Sequence, residues 1–187
     1  VPFSTGLAVK PPTESIFSSK LTGETPGELD PNAVELGMKF KANIAGRITG
    51  IRFFKLVGNT GTHTGSLWSA DGTLLAKATF TNETATGWQQ VKFSTPVTIT
   101  PGVTYMASYF APNGNYAYTG GVFADNVTNT LKSLTGLKAL DAGGNGLFRY
   151  GGGFPNQVSG GNGSYYVDVL FENSLNISKF DLSSITS

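Results

Sequence analysis

Cysteine is absent from this chain of 187 residues. That excludes a disulfide framework, a thiolate metal centre and a cysteine nucleophile. Charge is scarce as well. Only 13% of residues are Asp, Glu, Lys or Arg, well below the usual quarter. The 13 basic and 12 acidic residues nearly cancel, and Lys10, Lys20, Lys39 and Lys41 gather into no basic patch. Nucleic acid and anionic membranes are therefore not expected as partners. No apolar run reaches the roughly 18 residues of a membrane helix, so no membrane insertion is expected. Val1-Pro2-Phe3 lacks the basic start and apolar stretch of a signal peptide.

What the chain has instead is glycine (25 residues), with 13 Phe and 7 Tyr. Low charge with abundant Gly, Thr, Ser, Asn and aromatics is the habit of extracellular β-proteins. The periodicity agrees. Val34, Leu36, Met38 and Phe40 alternate with Glu35, Gly37 and Lys39, the pattern of a half-buried strand. Further strands are expected at Glu14–Ser18, Ile48–Val57, Gly65–Ser69, Leu74–Phe80, Trp88–Phe93, Pro96–Ile99, Val103–Phe110, Tyr116–Tyr118, Leu147–Tyr150 and Tyr165–Phe171. Asp71-Gly72 and Pro101-Gly102 read as turns. Asn129–Leu140 is the one candidate helix, weakened by Gly136, and a glycine-rich loop is expected from Asp141 to Asn162. Short antiparallel strands at this spacing predict an all-β, jelly-roll-like antiparallel β-sandwich.

One domain is expected over residues 14–173. Residues 1–13, with Pro2, Pro11 and Pro12, read as a linker-like N-terminal arm, and the Ser-rich residues 174–187 as a C-terminal linker. Such ends suit a monomeric module flanked by neighbouring domains of a longer chain.

Several segments together carry a resemblance: Gly50-Ile-Arg-Phe-Phe-Lys55, Asn59-Thr-Gly-Thr-His-Thr-Gly-Ser-Leu-Trp68, Gly87-Trp-Gln-Gln-Val-Lys-Phe93, Tyr105-Met-Ala-Ser-Tyr109 and Tyr166-Val-Asp-Val-Leu-Phe171. They resemble a bacterial module of uncharacterised function found in large secreted multidomain proteins, beside immunoglobulin-like, cadherin-like and glycan-active domains. The resemblance spans about residues 14–173. It implies a non-catalytic, secreted or cell-surface β-sandwich with no established ligand. The histidine usual in the family's Pro-Asn-Gly-x-Tyr stretch is replaced here by Asn115.

Three groups of residues are candidates for chemistry. His63, the single histidine, lies in the polar loop Asn59–Gly65 with Asn59 and Thr62. It suits either a ligand contact or the knitting of its own loop; catalysis would need an orienting carboxylate and a nucleophile, and Asp71 and Glu83 are the nearest acids in sequence. The second group is aromatic and amide. Tyr109, Tyr116, Tyr118, Phe123, Tyr150 and Phe154, with Asn113, Asn115, Asn145 and Arg149, fall in or beside the loops 111–121 and 143–161. Aromatic faces suit the C–H face of a sugar, and amides suit its hydroxyls; the same aromatics equally suit a core. The third group is Glu35 and Asp168, on an early and a late strand. They suit either a structural calcium ion (Ca2+) or pairing with a cation such as Arg52. The expected function is non-catalytic recognition of a polysaccharide or other glycan through the loops at one end. The alternative is a structural or adhesive spacer without a small-molecule ligand. A hydrolase is not expected, for want of a nucleophile–base pair.

Overall fold

A computed structural model describes residues 12–19, 27–158, 160 and 162–174. The expected N-terminal arm and C-terminal linker lie almost wholly outside these residues. The described chain is an all-β sandwich of two antiparallel sheets, as the alternation predicts. The strands are β1 (Val34–Ala42), β2 (Gly46–Lys55), β3 (Thr64–Ser69), β4 (Leu74–Thr79), β5 (Gly87–Ile99), β6 (Thr104–Ala111), β7 (Val127–Thr128), β8 (Leu134–Gly136), β9 (Leu147–Tyr150), β10 (Gln157–Val158) and β11 (Val167–Asn173). The two expected strands at Trp88–Phe93 and Pro96–Ile99 are one continuous strand, β5.

The sheets are unequal. The larger runs β10-β9-β1-β6-β3-β4, and the smaller runs β11-β2-β5. The inner edge of β1 is shared along its length: Val34–Gly37 pair with β9, and Phe40–Ala42 pair with β8. Consecutive strands β1 and β2, and again β5 and β6, pass from one sheet to the other. The smaller sheet lies with β11 across β1 and β6, β2 across β3 and β6, and β5 against β4. Strands β9 and β10 therefore extend beyond β11, and among the described residues no strand of the smaller sheet packs closely on them.

The core is filled by the residues that alternation selects. Val34, Leu36, Met38 and Phe40 are all buried, facing Val167, Val169 and Phe171. At its centre the Phe53 and Tyr109 rings stack with centroids 4.2 Å apart, and Phe80 meets Phe53 edge-on. Such contacts add to simple area burial.

Two expectations are corrected. Asn129–Leu140 is not helical. The Asn129 side chain accepts from the backbone N–H groups of Ser133 and Leu134, and Lys132 takes φ +56. A local side-chain turn thus competes successfully with the helix, and Leu134–Gly136 becomes a strand on β1. The first strand, Glu14–Ser18, is reduced to one bridge, Glu14 to Phe171, at the free edge of β11.

That edge is pinned by a buried ion pair. Arg52 Nη2 lies 2.8 Å from Asp168 Oδ2, with Nε also donating at 3.2 Å. Asp168 further accepts from the N–H groups of Ile16 and Phe17, each at 2.9 Å, and Arg52 donates to the Phe17 carbonyl. The guanidinium lies 4.0 Å above the Trp88 ring. Asp168 is fully buried, so removing its cation strands a charge. Arg52→Ala should destabilise the domain by about 3–5 kcal/mol, read as a lower urea midpoint; an unchanged midpoint would show that the pair is not holding this edge.

Candidate functional site

The polar loop that carries the only histidine folds inward. His63 and Asn59 are fully buried, and the imidazole packs 4.9 Å from the Phe53 ring. Glu83, from the loop after β4, sits 2.9 Å from His63 Nδ1, and Lys55 Nζ donates to the other Glu83 oxygen at 2.8 Å. His63 Nε2 lies 2.8 Å from the Asn59 amide, which in turn approaches the Tyr109 hydroxyl at 3.5 Å. A polar chain thus runs from Lys55 inward through Glu83, His63 and Asn59 to Tyr109.

Burial pushes the His63 pKa below its ordinary value, against the pull of Glu83. A neutral ring donating from Nδ1 to Glu83 must accept at Nε2. Asn59 is placed with Oδ1 toward Nε2 and Nδ2 donating toward the Tyr109 hydroxyl; a neutral ring that accepts at Nε2 goes with the flipped amide, its NH2 to the ring. The imidazole–carboxylate pair has the look of a relay, and among the described residues its two ring nitrogens are taken by Glu83 and Asn59. The chain knits loops to the core, through partners other than the neighbouring threonines.

The other expected contact residues divide. Asn145 is fully buried and bridges loop to strand: its Oδ1 accepts from Lys39 N, and its Nδ2 donates to the Lys39 and Leu137 carbonyls. Tyr109 is in the core stack. Asn113 and Asn115 do bring the two expected loops together at one end. Asn113 donates to Thr60 Oγ1 at 3.1 Å, and Asn115 donates to the Gly58 and Asn113 carbonyls. Thr62 is exposed beside them. Arg149 pairs across from Glu35, on the outer face of the larger sheet. Of this set, Tyr116 lines a cleft.

That cleft lies under the overhang. Glu28, Tyr116, Tyr118, Phe148, Tyr150 and Tyr165 enclose about 270 Å3. Phe148 and Tyr150 register with Leu36 and Val34, so they point to the inner side of β9, where no strand of the smaller sheet lies. Loop tyrosines fill the gap instead: Tyr165 meets Tyr116 and Tyr118 at centroid distances of 5.4 and 5.2 Å. Two bridges hold them, Gly27 to Ala117 and Thr119 to Ser164. The 27–32 segment can approach because Gly114 has no side chain; a Cβ there would lie 1.8 Å from the Asp30 carbonyl oxygen.

Tyr150 is 52% exposed and forms the wall between this cleft and an adjoining hollow of about 360 Å3 lined by Asn32, Ala33 and Gly151. Its hydroxyl donates to Asp30 Oδ2 at 2.6 Å, which holds the Asp30 carboxyl below its ordinary value. Burial pushes the Tyr116 phenol upward, so it stays neutral. Tyr116, Tyr118 and Tyr150 stand out in the sequence as candidate contacts; Phe148, Tyr165 and Glu28 join them only in the fold. The Phe148–Tyr150 alternation was the signal for the first of these.

A larger groove of about 490 Å3 lies on the other side of the same sheet, lined by Lys39, Lys41, Lys138 and Asp141. Two of its amines are committed: Lys39 donates to the Ala142 carbonyl at 2.7 Å, and Lys138 lies 3.5 Å from Asp125.

The two candidate metal ligands do not meet. Glu35 and Asp168 alternate with core residues of opposite sheets, so they sit on the two outer faces with the sandwich between them. Among the described residues no three His, Cys, Asp or Glu gather into an ion-sized group. This donor pair does not fit a shared calcium ion. Asp168 is paired instead with Arg52. Glu35 accepts from Ser108 Oγ at 2.5 Å, and Ser108 accepts from Trp68 Nε1 at 2.8 Å.

Burial pushes the Glu35 pKa up to about 7 from 4.5, opposed by Ser108 and Lys77. The folded state then holds this proton more tightly than the unfolded state. Its contribution is fully present below about pH 4.5 and is lost as pH rises through 7. The span corresponds to at most about 3 kcal/mol. Glu35→Gln should flatten the fall in Tm between these limits and raise Tm on the alkaline side. A wild-type Tm that does not fall across this range would count against a protonated Glu35.

No curated protein matches the chain. Residues 21–167 match a family described as a domain of unknown function (DUF4082), and with most of its length inside that match the chain belongs to this family.

Proposed function

We propose that this domain is a non-catalytic carbohydrate-binding module of a secreted or cell-surface protein, and that its ligand lies against the tyrosine cleft. The observation that carries this reading is the half-exposed Tyr150 between two adjoining hollows. An aromatic face offers a platform for the apolar face of a pyranose. Asp30, Asn32 and Glu28 stand at its edge with acceptors and a donor for hydroxyls. Because the cleft is already walled by packed rings, little side-chain ordering is needed on binding. The rim loops at Asn113, Asn115 and Thr62 offer polar groups but no comparable concave aromatic surface.

The spacer reading draws on a different observation. The polar groups of His63, Asn59 and Asn145 are spent within the fold, as they would be in a module selected for rigidity. The two readings part at Tyr150. Affinity electrophoresis against a panel of plant, algal and microbial polysaccharides should show retention of the wild type. Tyr150→Ala should weaken it about tenfold or more, equivalent to about 1.4 kcal/mol, with little change in Tm because the ring is half exposed. Arg149→Ala and Asn113→Ala should bind as the wild type does. Loss of retention in Asn113→Ala alone would move the site to the rim loops, and no retention on any polymer would leave the spacer.

A further inference from the structure

The tyrosine cleft is charged on one side only. Glu28 is the one carboxylate among its lining residues. Asp30 adds a second carboxylate at its edge, bonded to the Tyr150 hydroxyl, and both acids act electrostatically on Tyr116. Among the described residues, no Lys or Arg lines either the cleft or the adjoining hollow. Arg149, the nearest cation in sequence, is turned to the opposite face of β9.

Five aromatic rings and a carboxylate around a small concavity form a cation-selecting environment. The negative faces of the rings attract a positive charge, and the carboxylate adds a direct Coulomb attraction. The Tyr150 ring is enriched further, since its hydroxyl donates to an ionised carboxylate. An anionic sugar would meet repulsion from Glu28 and Asp30 with no basic group to compensate it.

We propose that the cleft selects saccharides bearing a protonated amine, that is, 2-amino sugars of a deacetylated polymer, with Glu28 as the specificity-determining residue. This rests on the carbohydrate reading of the same cleft and names its ligand class. The amine lies over the tyrosine rings and against Glu28, while the sugar ring packs on Tyr150. Backbone contacts fix Glu28 in place: its N–H donates to the Tyr116 carbonyl at 3.0 Å. Its side chain is exposed, so neutralising it does not disturb the core.

The test is titration calorimetry of the domain with three probes in mildly acidic, low-salt buffer that keeps the sugar amine charged. The probes are a glucosamine oligomer, its N-acetylated counterpart and tetramethylammonium. The glucosamine oligomer should bind at least about tenfold more tightly than the acetylated one, and added salt should narrow the gap. Glu28→Gln should abolish the preference while leaving weak binding of the acetylated oligomer and an unchanged Tm. Equal or tighter binding of the acetylated oligomer overturns amine selection and leaves the carbohydrate reading standing. A preference that survives Glu28→Gln overturns the role of Glu28. Binding of tetramethylammonium with no binding of either oligomer keeps the cation site and overturns the carbohydrate reading. No binding of any probe overturns amine selection.

Discussion

The constraint behind this molecule is a mismatch between its two sheets. Three strands cannot cover the inner face of the larger sheet. Where β11, β2 and β5 lie against it, the core closes on Phe53, Tyr109 and Phe171. Past β11 the inner face of β9 still presents Phe148 and Tyr150, and apolar surface left to water is unfavourable. Loop aromatics cover it partly: Tyr116 and Tyr165 are buried, and Tyr150 is not. The cleft is the remainder of that incomplete coverage. A site made this way is shaped by packing that the fold needs in any case, which is why its walls are rigid and aromatic.

The same mismatch explains which parts of the protein were legible in its sequence. Alternation reports burial one strand at a time, so Val34–Phe40 and Tyr165–Phe171 could be assigned without knowing their neighbours. The cleft was half legible, because Tyr116, Tyr118 and Tyr150 stand out as loop aromatics. Glu28 was not, since it lies in a segment without periodicity and is placed only by pairing with 115–117. His63 shows the opposite failure. A loop of Gly, Asn and Thr reads as solvent-facing, yet its histidine is buried by a partner twenty residues on, Glu83, and by Phe53 in the adjacent strand. Polar residues enter a core when their hydrogen bonds are met there, and those partners are a property of the tertiary structure.

The two carboxylates first considered as calcium ligands show what a buried acid does here instead. Asp168 receives the N–H groups of Ile16 and Phe17, and so binds the segment that runs along the free edge of β11. Glu35 lies beneath the turn after β9: Gly153 is hydrogen-bonded to it, and Pro155 packs where Gly37 leaves room. Each acid sits on an outer face and anchors a stretch of chain that has too little regular structure to hold itself. They differ in how their charge is met. Asp168 has a guanidinium and two backbone N–H groups, which oppose the upward push of burial on its carboxyl. Glu35 has a serine hydroxyl and a more distant Lys77, and burial shifts it toward the protonated form. With burial pushing its pKa up to about 7, the Glu35 clamp loosens as that acid ionises. The turn that Glu35 secures begins at Gly151, directly after Tyr150, in one wall of the tyrosine cleft.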